Sequence, residues 1–255
     1  MKKIVLASLA LAAMIPSGWA VAADMPLKAP PPPVVVDLWS GFYLGGNVGY
    51  SWGRWSSTSI NNGAFLGPAG FTNTANPNVT GAVGGVQVGV NKLYGQWLVG
   101  LEADIQASGE RANSNGTFTT PIIGAGTLSI SELAHWSLPW FATFRGRIGV
   151  VAADSWLLYA TGGLAVGRTV YDHTSSATLG GVTATLFASE GTTRAGAAVG
   201  AGVEKAIDAH WRAKAEFLYL DFGSHTFITG SAFDTNVRLR DYIARVGLNY
   251  RIPPN

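Results

Sequence analysis

Ten charged side chains lie in segments where apolar and polar residues alternate, and all ten occupy the polar positions. In residues 97–105, Leu101 and Ile105 hold one set of alternate positions, and Glu102 and Asp104 hold the other. Paired carboxylates can act as general acid and base, but basic residues at similar positions of other segments favour buried ion pairs over catalysis. The ten residues are Glu102, Asp104, Arg145, Arg147, Glu204, Arg212, Lys214, Glu216, Arg245 and Arg251.

The histidines and hydroxyl residues suggest little further chemistry. His135 and Ser137 have the spacing of a base beside a nucleophile, but no clear carboxylate accompanies them to orient the imidazole, since Glu132 lies in a predicted loop. His173 and His225 have no second histidine at a spacing suited to a metal. Because the chain contains no cysteine, thiol chemistry and disulfides are excluded. We therefore predict no catalytic site and no metal site.

The alternation itself predicts β-strands, because successive side chains of a strand point to opposite faces. In each such segment one face is apolar and the other is polar or glycine-rich. Charges confined to the second face suggest that it points into a closed barrel and that the apolar face meets lipid. The eight segments are 42–52, 86–90, 97–105, 140–150, 158–166, 197–203, 211–219 and 242–252.

The connections between these segments alternate in length. Short turns are predicted at 92–96, 152–155 and 207–210, whereas polar stretches rich in Asn, Thr, Ser and Gly predict long loops. An even number of strands joined in this way is typical of an outer-membrane barrel. The predicted fold is an all-β, eight-stranded, antiparallel, up-and-down transmembrane barrel, with both chain ends on the periplasmic side. The predicted loops are 53–79, 109–132, 168–192 and 223–236.

Aromatic residues near the strand ends predict two belts, one at each membrane interface. Four tryptophans recur every 55–59 residues, which indicates an internal repeat of strand pairs. These four, Trp39, Trp97, Trp156 and Trp211, are assigned to the periplasmic belt, and Trp52, Trp136, Trp140 and Tyr171 to the outer belt.

The N-terminal residues predict export. Residues 1–22 have the form of a signal peptide: Lys2 and Lys3 precede an apolar stretch, and Ala20 to Ala22 provide a small-x-small cleavage pattern. Residues 23–38 form a proline-rich periplasmic linker, and residues 39–252 form the barrel. Without Lys2 and Lys3 the chain has 15 basic and 15 acidic residues, so its charge gives no reason to expect a nucleic acid partner. After the leader no apolar run reaches the ~18–20 residues that a membrane helix needs.

Several segments carry a resemblance to a known family: GFYLGGNVGYSWG, GGVQVGVN, WFATFRGRIGV, LYATGGLAVG, GAGVEKAI, WRAKAEFLYLDFG and ARVGLNYRI. They resemble the small porin-family outer-membrane β-barrel proteins of Gram-negative bacteria, which include the twenty-five and thirty-one kilodalton outer-membrane proteins and are related to the opacity proteins and the OmpA transmembrane domain. The resemblance covers residues 39–252. It implies a barrel in the cell outer membrane, among structural envelope proteins, porin-like proteins and hemin binders.

We expect a structural barrel that maintains envelope integrity, with a lumen plugged by charges and with long surface loops. The alternative is a small porin or a hemin receptor, for which the resemblance suggests His173, Tyr171 and His225 as ligands. A third possibility is a lipid A-modifying enzyme, because barrel deacylases use a pair similar to His135 and Ser137. Expected partners are outer-membrane lipid, lipopolysaccharide and the barrel assembly machinery; no enzyme activity, cofactor or nucleic acid is expected.

Overall fold

A computed structural model describes residues 37–61, 72–153, 155–227, 233–252 and 254. The predicted leader and all of the predicted linker except its last two residues lie outside this part of the chain. Within it there is no helix long and apolar enough to cross a membrane. The strands described there are β1 (Gly41–Arg54), β2 (Ser56–Asn61), β3 (Thr72–Ala75), β4 (Asn78–Tyr94), β5 (Trp97–Ile122), β6 (Gly126–Ala152), β7 (Trp156–Leu179), β8 (Val182–Ala206), β9 (Trp211–Phe227) and β10 (Phe233–Ile252).

Eight of these strands form a closed antiparallel ring. The order is β1, β4, β5, β6, β7, β8, β9 and β10, and β10 pairs again with β1 from Phe42↔Ile252 to Gly53↔Asp241. Each predicted segment lies in one strand of this ring, so the predicted eight-stranded, up-and-down, all-β architecture is confirmed. The short strands β2 and β3 extend the sheet beyond the ring along the end of β10 that lies farthest from the short turns.

The two faces of the ring differ as the alternation predicts. In β1, Tyr43 and Asn47 are buried inside, whereas Phe42 and Val48 point outward and are 65% and 64% exposed. Similar outward-facing apolar residues occur around the ring. A surface of this kind matches lipid rather than water.

The lengths of the connections partly differ from the predictions. The three short turns are confirmed, since β4 and β5, β6 and β7, and β8 and β9 are joined at those places. The predicted loops 109–132 and 168–192 are wrong as loops, because β5–β6 and β7–β8 continue through them as paired strands. Their Thr and Ser residues suit paired strands, and the Thr178 and Thr183 hydroxyls hydrogen-bond across one hairpin at 2.8 Å. Gly180 and Gly181 form that hairpin's turn with positive φ angles of 58° and 84°.

Three of the predicted belt aromatics are instead inside the barrel. Trp39, Trp136 and Tyr171 are only 2–4% exposed, so their assignment to the belts is corrected. Tyr171 has the inward parity of β7, and Trp39, which precedes β1, continues the odd-numbered positions that point inward in β1. Trp136 has outward parity, but a register shift between Ser137 and Trp140 inserts an extra residue in β6 and reverses the alternation beyond it.

The other predicted belt residues lie on the outer surface. Trp97, Trp156 and Trp211 are exposed near one end of the ring, Trp52 is exposed near the other, and Trp140 is half-buried. Their role as a membrane belt stays a prediction. The structure adds outward-facing aromatics that the sequence reading did not include: Tyr250 contacts Trp211, Phe217 contacts Trp52, and Tyr219 and Tyr242 contact each other.

Candidate functional site

The interior of the barrel is filled in three layers. At the end with the short turns, Trp39, Leu98, Leu157 and Tyr159 form an apolar cluster. At the opposite end a larger apolar cluster includes Trp55, Val79, Trp136, Leu138, Phe141, Tyr171, Leu218, Leu220, Phe222, Val237, Leu239 and Ile243. Between these apolar layers lies a layer of charged side chains, which we call the central charge layer.

The central charge layer contains equal numbers of acids and bases, and each member is at most 5% exposed. Two pairs face each other across hydrogen-bonded strands: Glu102 opposite Arg145, and Glu216 opposite Arg245. The Nη2 atom of Arg145 lies 2.6 Å from Glu102 Oε1, and Arg245 Nε donates to Glu216 Oε2 at 2.7 Å. Both pairs join strands that follow each other in the chain, β5 with β6 and β9 with β10. The layer consists of Glu102, Asp104, Glu204, Glu216, Arg145, Arg147, Lys214 and Arg245.

Other contacts cross the lumen between strands that are not neighbours. Arg145 on β6 reaches Glu216 on β9 at 3.2 Å, and Lys214 on β9 reaches Glu102 on β5 at 3.0 Å. Arg245 on β10 lies 3.1 Å from Asp104 on β5. These bridges join opposite walls of the barrel.

Two tyrosines complete the layer and were missed by the sequence reading. The Tyr43 hydroxyl donates to Glu102 Oε2 at 2.7 Å, and the Tyr159 hydroxyl donates to Glu216 Oε1 at 2.9 Å. Each tyrosine pairs across strands with a glycine, Gly89 for Tyr43 and Gly202 for Tyr159, where a Cβ atom would collide with the ring. Both tyrosines occupy inward positions of their strands, and this is the sequence feature that could have identified them.

Arg147 connects the layer to a row of amide side chains. Its Nη2 atom lies 2.9 Å from Glu204, whose carboxylate accepts from Asn249 at 3.4 Å. Gln87 donates to Asn249 at 2.6 Å and accepts from Asn47 at 2.9 Å. Buried amide groups of β1, β4 and β10 are thereby joined to the charges.

Arg212 and Arg251, predicted as part of the same network, lie apart from it near the short-turn end. Arg251 donates to the backbone carbonyl of Asp37 at 2.8 Å and to that of Ser40. The Arg212 guanidinium lies 5.5 Å from the centre of the Trp39 ring. Partial burial raises the pKa of Asp37, but hydrogen bonds from Ser40 and Trp39 outweigh it and keep that pKa below its usual value. These contacts fasten the start of the barrel to its last strand.

Two buried acids nearer the opposite end, Glu110 and Asp241, have no cation beside them within the described residues. Asp241 accepts a hydrogen bond from Trp55 Nε1 at 3.2 Å, but its second oxygen has no partner in the part of the chain that the structure describes. Within the same described residues, neither carboxylate oxygen of Glu110 has a hydrogen-bond partner, although the Ser51 and Ser108 hydroxyls lie nearby. The inward parity of the segment 242–252 extends to Asp241, whereas Glu110 lies in the predicted loop 109–132, to which the sequence assigns no strand parity.

The remaining candidate residues form no comparable cluster. His135 Nδ1 lies 2.6 Å from Asn113 Oδ1, which is an amide rather than the carboxylate of a catalytic triad. The Tyr171 and His173 rings are stacked 6.0 Å apart, whereas His225 lies two strands away on β9. Among the described residues there is no group of three or more His, Cys, Asp or Glu that could hold a metal ion.

Known proteins share this chain's sequence pattern. A family model described as "Outer membrane protein beta-barrel domain" matches residues 7–251. The "31 kDa outer-membrane immunogenic protein" of Brucella melitensis is 32% identical over 98% of this chain and 100% of its own length. The "22 kDa outer membrane protein" of Rhizobium leguminosarum bv. viciae is 28% identical over 74% of this chain and 67% of its own. The crystal structure of OprG from Pseudomonas aeruginosa is 13% identical, covers 85% of this chain and 98% of its own, and superposes with a TM-score of 0.46.

Proposed function

The chain belongs to the outer-membrane protein β-barrel family and is an outer-membrane protein, and we propose that it acts as a structural barrel whose lumen is closed to ions. In this role it stabilises the envelope through its lipid-facing wall and presents the β5–β6 and β7–β8 hairpins at the cell surface. The "immunogenic" description of the Brucella relative is in keeping with such surface hairpins.

The burial of the central charge layer carries the proposal. The side chains of three cations, Arg145, Lys214 and Arg245, are 0% exposed. The side chains of the acids that they contact are at most 2% exposed. Charged groups lining an aqueous pore would be in contact with water. The lumen of an eight-stranded barrel is only wide enough to hold side chains. Here the side chains of the ion pairs and of the two apolar layers fill it.

Planar-bilayer recording of the purified, folded protein tests this proposal. We expect no large, steady single-channel steps from the wild type, and at most a small leak from Arg145→Ala, because the apolar layers still close both ends. A heat-dependent shift in gel migration shows that each sample is folded before recording. Large, steady steps from the wild type would contradict the closed lumen and favour the porin alternative.

Hemin binding is a second candidate function, supported by the half-buried His173, whose imidazole can ligate haem iron and whose ring stacks on that of Tyr171. Titration of the folded protein with hemin, followed by its absorbance spectrum, tests it. A saturable spectral change that His173→Gln removes and His225→Gln retains would support a site at this pair. An absence of saturation would rule it out.

A further inference from the structure

The outer wall of the barrel carries arginines at one end, just beyond the exposed aromatics. On β1, Trp52 is followed at the next outward position by Arg54. On β10, Tyr242 is preceded at the outward positions by Arg240 and Arg238. The arginines that face outward at this end are Arg54, Arg111, Arg168, Arg238 and Arg240.

Three of these arginines line one cleft. The cleft lies across β1 and β10, has a volume of about 370 Å³, and is bordered by Trp52, Arg54, Arg238, Arg240 and Tyr242. This volume falls in the ~300–1,000 Å³ range of pockets that hold small ligands. Its floor is the wall of the barrel, so a ligand in it would be held beside the lipid-facing surface.

The charges in the cleft favour an anion. The Oδ2 atom of Asp221 lies 3.3 Å from Arg238 and 3.3 Å from Arg240, which holds both side chains in place. Arg54 is exposed and is not one of the arginines that pair with Asp221. Three guanidinium groups against one carboxylate leave an excess of two positive charges. Guanidinium groups bind phosphate and carboxylate oxygens through two parallel hydrogen bonds.

The position of the cleft identifies the source of the anion. Exposed tryptophan and tyrosine side chains mark the level of lipid headgroups, and the arginines lie immediately beyond Trp52 and Tyr242. This end of the barrel carries the long hairpins, which the proposed function places at the cell surface. The adjacent leaflet then consists of lipopolysaccharide. We propose that this cleft binds the anionic headgroup of a lipopolysaccharide, with the acyl chains lying along the apolar face of β1 and β10.

The opposite end of the wall provides a matched control. Lys92 on β4 and Lys205 on β8 face outward there and are exposed. Lys205 Nζ lies 5.1 Å from the centre of the Trp156 ring. These lysines carry the same total charge as a pair of the cleft arginines, but they lie near the short turns.

The test uses the folded full-length barrel in detergent, with lipid A binding measured by native mass spectrometry. The ligands are diphosphorylated lipid A and enzymatically dephosphorylated lipid A. The variants are Arg54→Gln/Arg240→Gln, in which Asp221 keeps Arg238, and the control Lys92→Gln/Lys205→Gln. We expect wild type to bind the phosphorylated form at least about tenfold more tightly, since two or more charge-assisted hydrogen bonds are involved. The arginine variant should lose most of that preference, and the lysine control should keep it.

Two results would overturn the site. One is a wild type that does not distinguish the two forms of lipid A. The other is an arginine variant that binds phosphorylated lipid A as tightly as the lysine control. If phosphatidylglycerol displaced bound lipid A as readily as free phosphorylated lipid A does, the assignment to lipopolysaccharide would be overturned. None of these measurements depends on conductance, so failure of this site and failure of the closed-lumen proposal can be told apart.

Discussion

Arg145 has three carboxylates within 3.2 Å, and each of those acids contacts a second cation of the central charge layer. Such an arrangement offsets the loss of hydration that buried charges suffer, because the charges balance and most hydrogen-bonding groups are used. Removing one member of the layer leaves its partners charged and out of contact with water. The effect of a substitution should therefore depend on whether the residue has partners, not on its burial alone.

The acids Glu216 and Glu110 allow that dependence to be tested with one chemical change. Glu216 accepts hydrogen bonds from Arg245, Arg145 and Tyr159, whereas neither oxygen of Glu110 has a partner among the described residues. We expect Glu216→Gln to lower the free energy of unfolding by about 3–5 kcal/mol, the range for breaking a buried ion pair. Glu110→Gln should not lower the free energy of unfolding at neutral pH. It should raise that free energy at alkaline pH, where the wild-type carboxylate is ionised and has no cation to offset its desolvation.

Urea unfolding in detergent micelles, followed by tryptophan fluorescence and heat-dependent gel migration, measures both variants across a pH series. Equal destabilisation by the two substitutions would show that burial, rather than pairing, governs the effect.

At the scale of the strands, alternation was sufficient to predict the ring. Period-two patterns located all eight strands and the three short turns, because lipid on one side and a packed lumen on the other impose the pattern on every strand. The same patterns assign Glu102 and Arg145 to inward positions of consecutive strands, and the structure pairs them directly. Which cations and acids meet across the lumen could not be predicted, since those contacts depend on the closed shape of the ring rather than on neighbouring strands.

The errors arise where the alternation is interrupted or the surroundings change. The extra residue near Pro139 in β6 reverses the direction of Trp136, and nothing in the local composition marks it as a bulge. The hairpin extensions were read as loops because polar residues occupy both faces of a strand that leaves the membrane. Beyond the lipid, burial no longer distinguishes the two faces, so the signal for a strand is lost there.

The membrane boundary along β5 and β6 provides an element-scale prediction. Leu101 and Leu133 both point outward and are about equally exposed, at 48% and 52%, but Leu101 lies in the apolar band and Leu133 lies in the hairpin beyond it. We expect Leu101→Arg to destabilise the barrel by ~2–4 kcal/mol, because an arginine at mid-membrane faces hydrocarbon. Leu133→Arg should have almost no effect, since its side chain meets water.

The folded fraction of each variant in phospholipid vesicles, measured by gel migration without heating, distinguishes the two positions. Leu133 is the matched control, because the substitution and the starting exposure are the same. Similar folded fractions for the two variants would mean that the apolar band has been placed wrongly.

For the whole molecule, closure of the ring and filling of the lumen act together. Pairing of β1 with β10 leaves the ring without free edges, which a strand in hydrocarbon requires because unpaired backbone groups would have no water to bind. The chain contains no cysteine, so no disulfide contributes to this stability. Arg251 adds a fastening at the short-turn end by binding the backbone of residues 37–40. The stability of the wall therefore depends on backbone pairing and on the buried layers.

The orientation of this closed barrel in the outer membrane is the remaining prediction, and the absence of native cysteine makes it directly testable. Ile123 is fully exposed at the tip of the β5–β6 hairpin, and Gln96 is exposed in the short turn between β4 and β5, at the other end. We expect a large, membrane-impermeant maleimide to label Ile123→Cys on intact cells and to label Gln96→Cys only after the outer membrane is permeabilised. The physical reason is that long polar hairpins face the medium in barrels of this kind, while short turns face the periplasm. The unsubstituted chain, which has no thiol, is the background control. Labelling of Gln96→Cys but not Ile123→Cys on intact cells would reverse the orientation, and the arginine cleft would then face the inner leaflet and its phospholipids.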